Sequence, residues 1–313
     1  MALNVVALAG GVGGAKLAHG LAETLSPNTL TVIVNTGDDF NHCGLSISPD
    51  VDTVTYALAG LAHPQHGWGR AEDTFQALST LAQLGGPTWF QLGDLDLGLH
   101  LFRTGKLRAG MTLTQVTQAV CQAWEVAAKV YPMTDDPVRT MVKTPGGELP
   151  FQEYFVARQC EPTVEGFRFA GIETAVPAPG VLHAVDQADL VVMCPSNPWV
   201  SLDPILLLDG MRISVGQKPV VGVSPIIAGK AVKGPAAAMY ADLGIEPSAL
   251  AVASHYQDLL DGFVMDVQDA SLADEVRAYG MKVAVTDTIM RSTKDRVRLA
   301  RDVLHFVDAE VLG

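Results

Sequence analysis

Residues 3–21 read LNVVALAGGVGGAKLAHGL, and no other stretch limits the fold as tightly. The run 3–9 is apolar, β-branched and short, which predicts a buried strand. Gly10-Gly11-Val12-Gly13-Gly14 follows, and then Ala15, Leu17, Ala18 and Leu21 recur at helical spacing. Strand, glycine turn and helix open a nucleotide-binding βαβ unit: the glycines permit a sharp turn, and the helix N-terminus offers bare N–H groups to a phosphate. A Walker loop needs Gly-Lys-Ser/Thr, but Lys16 stands between Ala15 and Leu17. Of the fingerprint G-x-G-x-x-G, Gly11 and Gly13 fit, while Lys16 takes the third glycine position. The strand expected over 29–34 ends in Asn35-Thr36-Gly37-Asp38-Asp39, with Asn35 where an NAD enzyme wants a carboxylate. The turn is therefore expected to hold a phosphate of another kind, through Gly10, Gly11, Gly13, Gly14 and Lys16.

Further buried-strand runs are expected at 188–194, 219–224, 249–254, 263–267 and 282–285. Together they predict an α/β chain: a Rossmann-like, doubly wound, mostly parallel sheet with an inserted, mainly helical second lobe. The expected core is 1–55 and 181–313, and the expected inserted lobe is 56–180. Within the lobe, 71–84 and 113–129 read as helices, while 151–157 and 166–172 read as short strands among many Pro and Gly. Ser292 is expected to cap a last helix whose Val297, Ala300, Leu304 and Val307 face the core.

Composition narrows the function classes. The net charge is −13, from 21 Lys+Arg against 34 Asp+Glu, so the basic footprint of a nucleic-acid binder is missing. Hydrophobic residues make up 48% of the 313, yet no apolar run approaches the length of a membrane span. The first residues lack the basic region of a signal peptide, and a cytoplasmic protein is expected. Cys43, Cys121, Cys160 and Cys194 show no C-x-x-C spacing, which favours reduced thiols over zinc or disulfides.

The sequence concentrates carboxylates after the second strand: Asp38, Asp39, Asp50 and Asp52. Such a set repels itself unless a cation sits among its members, and magnesium bridging to a diphosphate is the natural one. Asp50 or Asp52 also suits the cap of a helix beginning near Thr53. Downstream, Gly93-Asp94-Leu95-Asp96 leads into a helix with His100 and Arg103 one turn apart on one face. Pro195-Ser196-Asn197-Pro198 lies where a strand's carboxyl end meets a loop, the usual ligand position in open α/β sheets. Lys230 and Lys233 flank a glycine loop and are phosphate candidates in so acidic a chain.

Seven motifs occur in order: Gly-Gly-Val-Gly-Gly-Ala-Lys (10–16), Asn-Thr-Gly-Asp-Asp (35–39), Ser-Pro-Asp-Val-Asp-Thr (48–53), Gly-Asp-Leu-Asp (93–96), Pro-Met-Thr-Asp-Asp-Pro (132–137), Pro-Ser-Asn-Pro (195–198) and Val-Ser-Pro-Ile-Ile-Ala-Gly-Lys-Ala-Val-Lys-Gly-Pro (223–235). Along nearly its whole length the chain resembles the 2-phospho-L-lactate transferase family of deazaflavin coenzyme F-420 biosynthesis. The resemblance implies a transferase of a substituted phosphate group. It would pass 2-phospholactate, phosphoenolpyruvate or a 3-phosphoglycerate-type acid from a guanosine diphosphate ester to the ribityl hydroxyl of the deazaflavin Fo, releasing GMP. It also implies magnesium as the metal. By position, the glycine turn, Lys16, Ser196, Asn197, Lys230 and Lys233 would hold the guanosine diphosphate part. Asp38, Asp39 and Asp50 would hold the metal, and Asp38, Asp50 and Asp52 would be catalytic. Asp52, Gln91, Met133, Thr134 and Asp135 would meet Fo, with the inserted lobe contributing to that site. Two positions depart from the family pattern: Gln91, where a basic residue precedes Leu-Gly-Asp, and Leu95, where Gly-Asp-Arg-Asp is common. Both lose positive charge beside the expected Fo or acid site.

The expected partners are these two small molecules and a second copy of the chain as a homodimer, with no nucleic acid or membrane. A reading of another class is a non-catalytic, nucleotide-sugar-binding regulator related to the gluconeogenesis factor. Those relatives lack the Ser-Pro-Asp-x-Asp-Thr that stands here at 48–53.

Overall fold

The computed structural model describes residues 3–232 and 234–312. Seven strands form the central sheet: β1 (Val5–Ala9), β2 (Leu30–Val34), β3 (Lys129–Pro132), β4 (Leu190–Met193), β5 (Val220–Val223), β6 (Gly262–Asp266) and β7 (Lys282–Thr286). Their order is β7-β6-β5-β4-β1-β2-β3, and every neighbouring pair is parallel. A parallel sheet must be covered on both faces, which is why β1, β4, β5 and β6 are buried throughout and apolar but for Asp266 at the end of β6. The pleat divides β1 between two cores. Val6 and Leu8 enter one with Ile33, Val191 and Met193, whereas Val5, Ala7 and Ala9 enter the other with Val32, Val34 and Val192.

The second core is roofed by α1 (Gly11–Thr24), which packs between α2 (Pro49–Leu58) and the last helix, Thr293–Phe306. Ser292 caps that last helix, and its side chain accepts the Asp295 N–H in a reciprocal capping box. Ala300 and Val307 are buried as expected, but Val297 and Leu304 are only partly so; Leu299, Val303 and Phe306 complete the core face.

Strand order reverses at β1. The chain leaves it for β2 on one side, and β4 pairs with it on the other, opening a crevice at their carboxyl ends. Segments that overhang the crevice come from both sides of β3. Before β3 lie a small hairpin, Phe40–His42 with Leu45–Ile47, then α2 and α3 (Asp94–Arg108). After β3 comes a three-stranded antiparallel sheet ordered Gly147–Pro150, Arg139–Thr144, Gly166–Ala170. Lys129–Pro132, where the sequence places the end of a helix and a short strand closed by the 132–137 turn within the inserted lobe, is an edge strand of the main sheet, paired with β2.

Two other expected strands are helical. The run 249–254 forms the helix Ala249–His255, because Ser248 caps it by accepting the Ala251 N–H and its alanines and leucine favour helix. The run 151–157 holds the wide helical turn Glu153–Ala157, which buries Tyr154. The four cysteines are unpaired, with Cys121 and Cys194 buried. Among the described residues no helix is long and apolar enough to cross a membrane.

Candidate active site

The glycine turn leaves β1 through Gly10 and enters α1 through Gly11, whose φ is +61°, a left-handed value that favours glycine. Its groups are held from two sides. Gly10 N–H donates to Ser196 Oγ at 3.1 Å, and Ser196 Oγ donates back to Gly10 O at 2.9 Å. Gly11 N–H donates to Asp50 Oδ1 at 2.7 Å. Asn35 Nδ2 donates to Asp50 Oδ2 at 2.9 Å and to Val200 O at 3.1 Å. Asn35, which from sequence only argues against NAD, is thus the joint between the second strand, the carboxylate and the loop after β4.

These elements form one wall of a cavity of about 680 Å³. Of the residues expected at the site, Gly10, Gly11, Gly13, Lys16, Asp38, Asp50, Gln91, Ser196 and Asn197 line it. Lys16 Nζ donates to Met290 O at 2.8 Å, which fixes it along the wall. Asn197 Oδ1 accepts the N–H groups of Trp199 and Val200, so this residue also caps the turn that carries Val200 and Ser201 to the cavity.

Other expected site residues lie elsewhere. Gly14 is buried one step behind the wall, where an added Cβ would stand 2.7 Å from Ser196 Oγ. Met133 and Thr134 are fully buried in the fold, and Thr134 Oγ1 donates to Val176 O at 2.6 Å. Asp135 accepts the Thr114 N–H at 2.7 Å, near the start of the helix Leu113–Ala123. Lys230 is exposed in a two-residue strand beyond the cavity lining. Lys233 lies outside the described residues.

The cavity also has an aromatic side, which the sequence does not mark as a site. Trp68, Trp89 and Phe90 line it beside Gln91. Phe40 supports Phe90 edge-on at 4.9 Å between ring centroids, and His42 supports Trp89 edge-on at 5.1 Å. A Trp-Phe pair at a loop end just before a polar residue was the available signal.

The four carboxylates divide into separate environments. Asp50 stands in the first turn of α2, which begins at Pro49 rather than near Thr53; neither Asp50 nor Asp52 is its cap, which is Ser48. Burial pushes the Asp50 carboxyl up to about 6, eased by its bonds from Asn35 and Gly11. Asp38 is driven well above the usual carboxylate range by burial and then by the Asp50 charge, and its Oδ1 is buried without a hydrogen-bond partner. Asp39 turns from the cavity; Ser48 Oγ donates to it at 2.7 Å, and burial raises it to about 7 against the pull of Arg139 and Ser48. Asp52 faces α3 and is gripped by both Nη atoms of Arg103. Asp38, Asp39 and Asp50 are accordingly not one ligand set, and among the described residues no three His, Cys, Asp or Glu side chains converge as a metal cage.

A raised folded pKa means that the fold favours the protonated form. The stability contributed is present below about pH 4, the unfolded carboxylate value, and is lost as pH rises through the folded values. For Asp39 and Asp50 those values are about 7 and about 6. The ligand-free protein is therefore expected to melt several degrees lower at pH 7.5 than at pH 5.0 in buffer free of divalent ions. Calorimetric scans at the two pH values check this, and a higher melting temperature at pH 7.5 would refute it.

The 2-phospho-L-lactate transferase CofD family model matches residues 5–304. A protein named phosphoenolpyruvate transferase from Thermobifida fusca is 45% identical over 86% of this chain and 88% of its own. One of the same name from Streptomyces griseus is 41% identical over 98% of this chain and 99% of its own. A 2-phospho-L-lactate transferase from Methanopyrus kandleri is 40% identical over 100% of both chains. The solved structure of a Bacillus halodurans protein described as a member of the upf0052 family shares the fold. Its TM-score is 0.64 at 15% identity, covering 97% of this chain and 99% of that one.

Proposed function

This chain belongs to the 2-phospho-L-lactate transferase CofD family, and from that membership we propose which substrates its cavity takes and which residues act on them. It is a transferase that passes a phospho-acid in coenzyme F-420 biosynthesis. The donor is a guanosine diphosphate ester of the acid, and the acceptor is the ribityl hydroxyl of the deazaflavin Fo. The enolpyruvyl ester is the first donor to test, in keeping with the name carried by relatives 41% and 45% identical.

One observation carries the reading. A single cavity of about 680 Å³ joins a helix N-terminus, two carboxylates and an aromatic wall. The diphosphate would lie at the glycine turn, where the N-terminal end of α1 carries partial positive charge. The planar deazaflavin would lie against Trp68, Trp89 and Phe90, whose faces suit ring stacking. Its hydroxyl oxygen would attack the phosphorus that bears the acid. The P–O bond to the guanosine phosphate would break, GMP would leave, and the hydroxyl proton would pass to Asp50. With its carboxyl held at about 6, Asp50 is matched to exchange a proton near neutral pH.

Magnesium fits the chemistry of the donor set: the unpartnered Oδ1 of Asp38 is buried, and Asp38 and Asp50 both face the cavity. Asp38 would hold the ion, which when bound would neutralise diphosphate charge. Positioning and charge neutralisation suffice for such a transfer, because its transition state is loose.

Fo incubated with the protein, magnesium and each of the three guanosine esters should gain the mass of one phospho-acid, fastest with the enolpyruvyl donor, and the gain should vanish in excess chelator. No gain with any donor would end the reading. A lactyl donor used fastest would correct the acid alone.

A further inference from the structure

Arg103 is 3% exposed, absent from the cavity lining and 51 residues from the carboxylate it holds. Its Nη1 donates to Asp52 Oδ2 at 3.0 Å, and its Nη2 donates to Asp52 Oδ1. Nη1 also reaches the Ser46 carbonyl at 3.4 Å, and the next residue, Thr104, accepts the Ser46 N–H on Oγ1 at 2.8 Å. His100, one turn back on α3, stands 3.2 Å from Nη1 through Nδ1 and 3.4 Å from Asp96 through Nε2. Tyr56 of α2 donates to the same Asp96. These contacts lock α2 and the hairpin onto α3.

Both locked elements lead to the cavity. Asp52 shares the first turn of α2 with Asp50, whose oxygens take the Gly11 N–H and the Asn35 amide. Ser46 lies on the hairpin whose other strand carries Phe40 and His42 against Phe90 and Trp89. We infer that Arg103 is a positioning residue for the transfer: acting through Asp52 and Ser46, it sets the spacing between Asp50 and the aromatic wall. That spacing decides whether a hydroxyl on a ring held at the wall reaches the carboxylate. The inference rests on the transferase reading above.

A planar guanidinium suits the task, because its fork engages both Asp52 oxygens and the carbonyl at once, whereas a lysine ammonium is a single point charge. Removing Arg103 alone would strand a buried carboxylate and threaten the fold. The informative proteins are therefore Arg103→Lys and the neutral pair Arg103→Met with Asp52→Asn. Two quantities are compared with the wild type: GDP affinity by calorimetry, and kcat/KM for Fo at saturating donor. The neutral pair should bind GDP as the wild type does, since no residue of the glycine turn is replaced and Ser196 still holds Gly10. Its kcat/KM for Fo should fall about a hundredfold, the scale of a small misplacement of reacting groups. Arg103→Lys should recover part of that loss. If GDP binding and turnover of Fo fall in the same proportion, or if the neutral pair turns over like the wild type, Arg103 is structural only and the inference fails. A wild type that transfers nothing withdraws the transferase reading and this inference together. An active wild type with indifferent variants sinks the inference alone.

Discussion

Replacing Asp50 by asparagine is expected to lower kcat for the transfer by roughly a hundredfold to a thousandfold while the protein stays folded. The rate falls because asparagine can neither accept the hydroxyl proton nor supply negative charge beside Asp38. The fold survives because two effects oppose each other. The amide puts a donor where Asp50 now accepts from either Gly11 N–H or Asn35 Nδ2, losing one bond worth about 1 kcal/mol. Against this, the wild-type carboxyl is raised to about 6, so at pH 7.5 the fold carries the penalty of a buried charge that asparagine lacks. Steady-state rates and a melting curve on the same preparation separate the effects. A rate within tenfold of wild type would remove Asp50 from the mechanism.

Gly13→Ala is expected to abolish GDP binding and to destabilise the protein by about 1–3 kcal/mol. A Cβ at Gly13 would sit 2.2 Å from the carbonyl oxygen of Pro195, which is backbone and cannot swing aside. The first turn of α1 must then move away from the loop after β4, and the Gly10–Ser196 bonds go with it. Gly11→Ala is the control. Its Cβ would meet only Asp50 Oδ1 at 4.0 Å, so its penalty is the left-handed φ, about 1–2 kcal/mol. Calorimetric titration with GDP and denaturant unfolding of both variants give the comparison. Wild-type affinity in Gly13→Ala would mean that the turn does not face the nucleotide.

The fold was largely legible because its main signals are local. An apolar run, a glycine turn and a helical stripe within residues 3–21 specify β1 and α1, and the strands β4 to β7 show the same short apolar pattern. Misread segments were those where local signals are ambiguous. ALAVAS at 249–254 is apolar enough for a strand, yet Ser248 tips it to helix by capping. Lys129–Pro132 reads as a short strand, but only its pairing with β2 puts it in the main sheet and not in the inserted lobe.

The site was legible in part. The glycine turn, Asp38, Asp50, Ser196 and Asn197 could be named because they follow β1, β2 and β4 or begin α2, whereas Gln91 could be named only from the family motif. The sequence by itself determined that a glycine turn without the NAD fingerprint would lead from β1 into α1, and that carboxylates would be close by. Only the tertiary structure decided how those carboxylates divide: Asp50 to Gly11 and Asn35, Asp39 to Ser48, Asp52 to Arg103, with Asp38 left facing the cavity. It alone also brought Trp68, Trp89 and Phe90 to the same cavity, and buried Met133 and Thr134. The physical reason is range. Backbone conformation follows from neighbours a few residues apart, whereas the environment of a carboxylate depends on side chains that arrive from distant segments when the core packs.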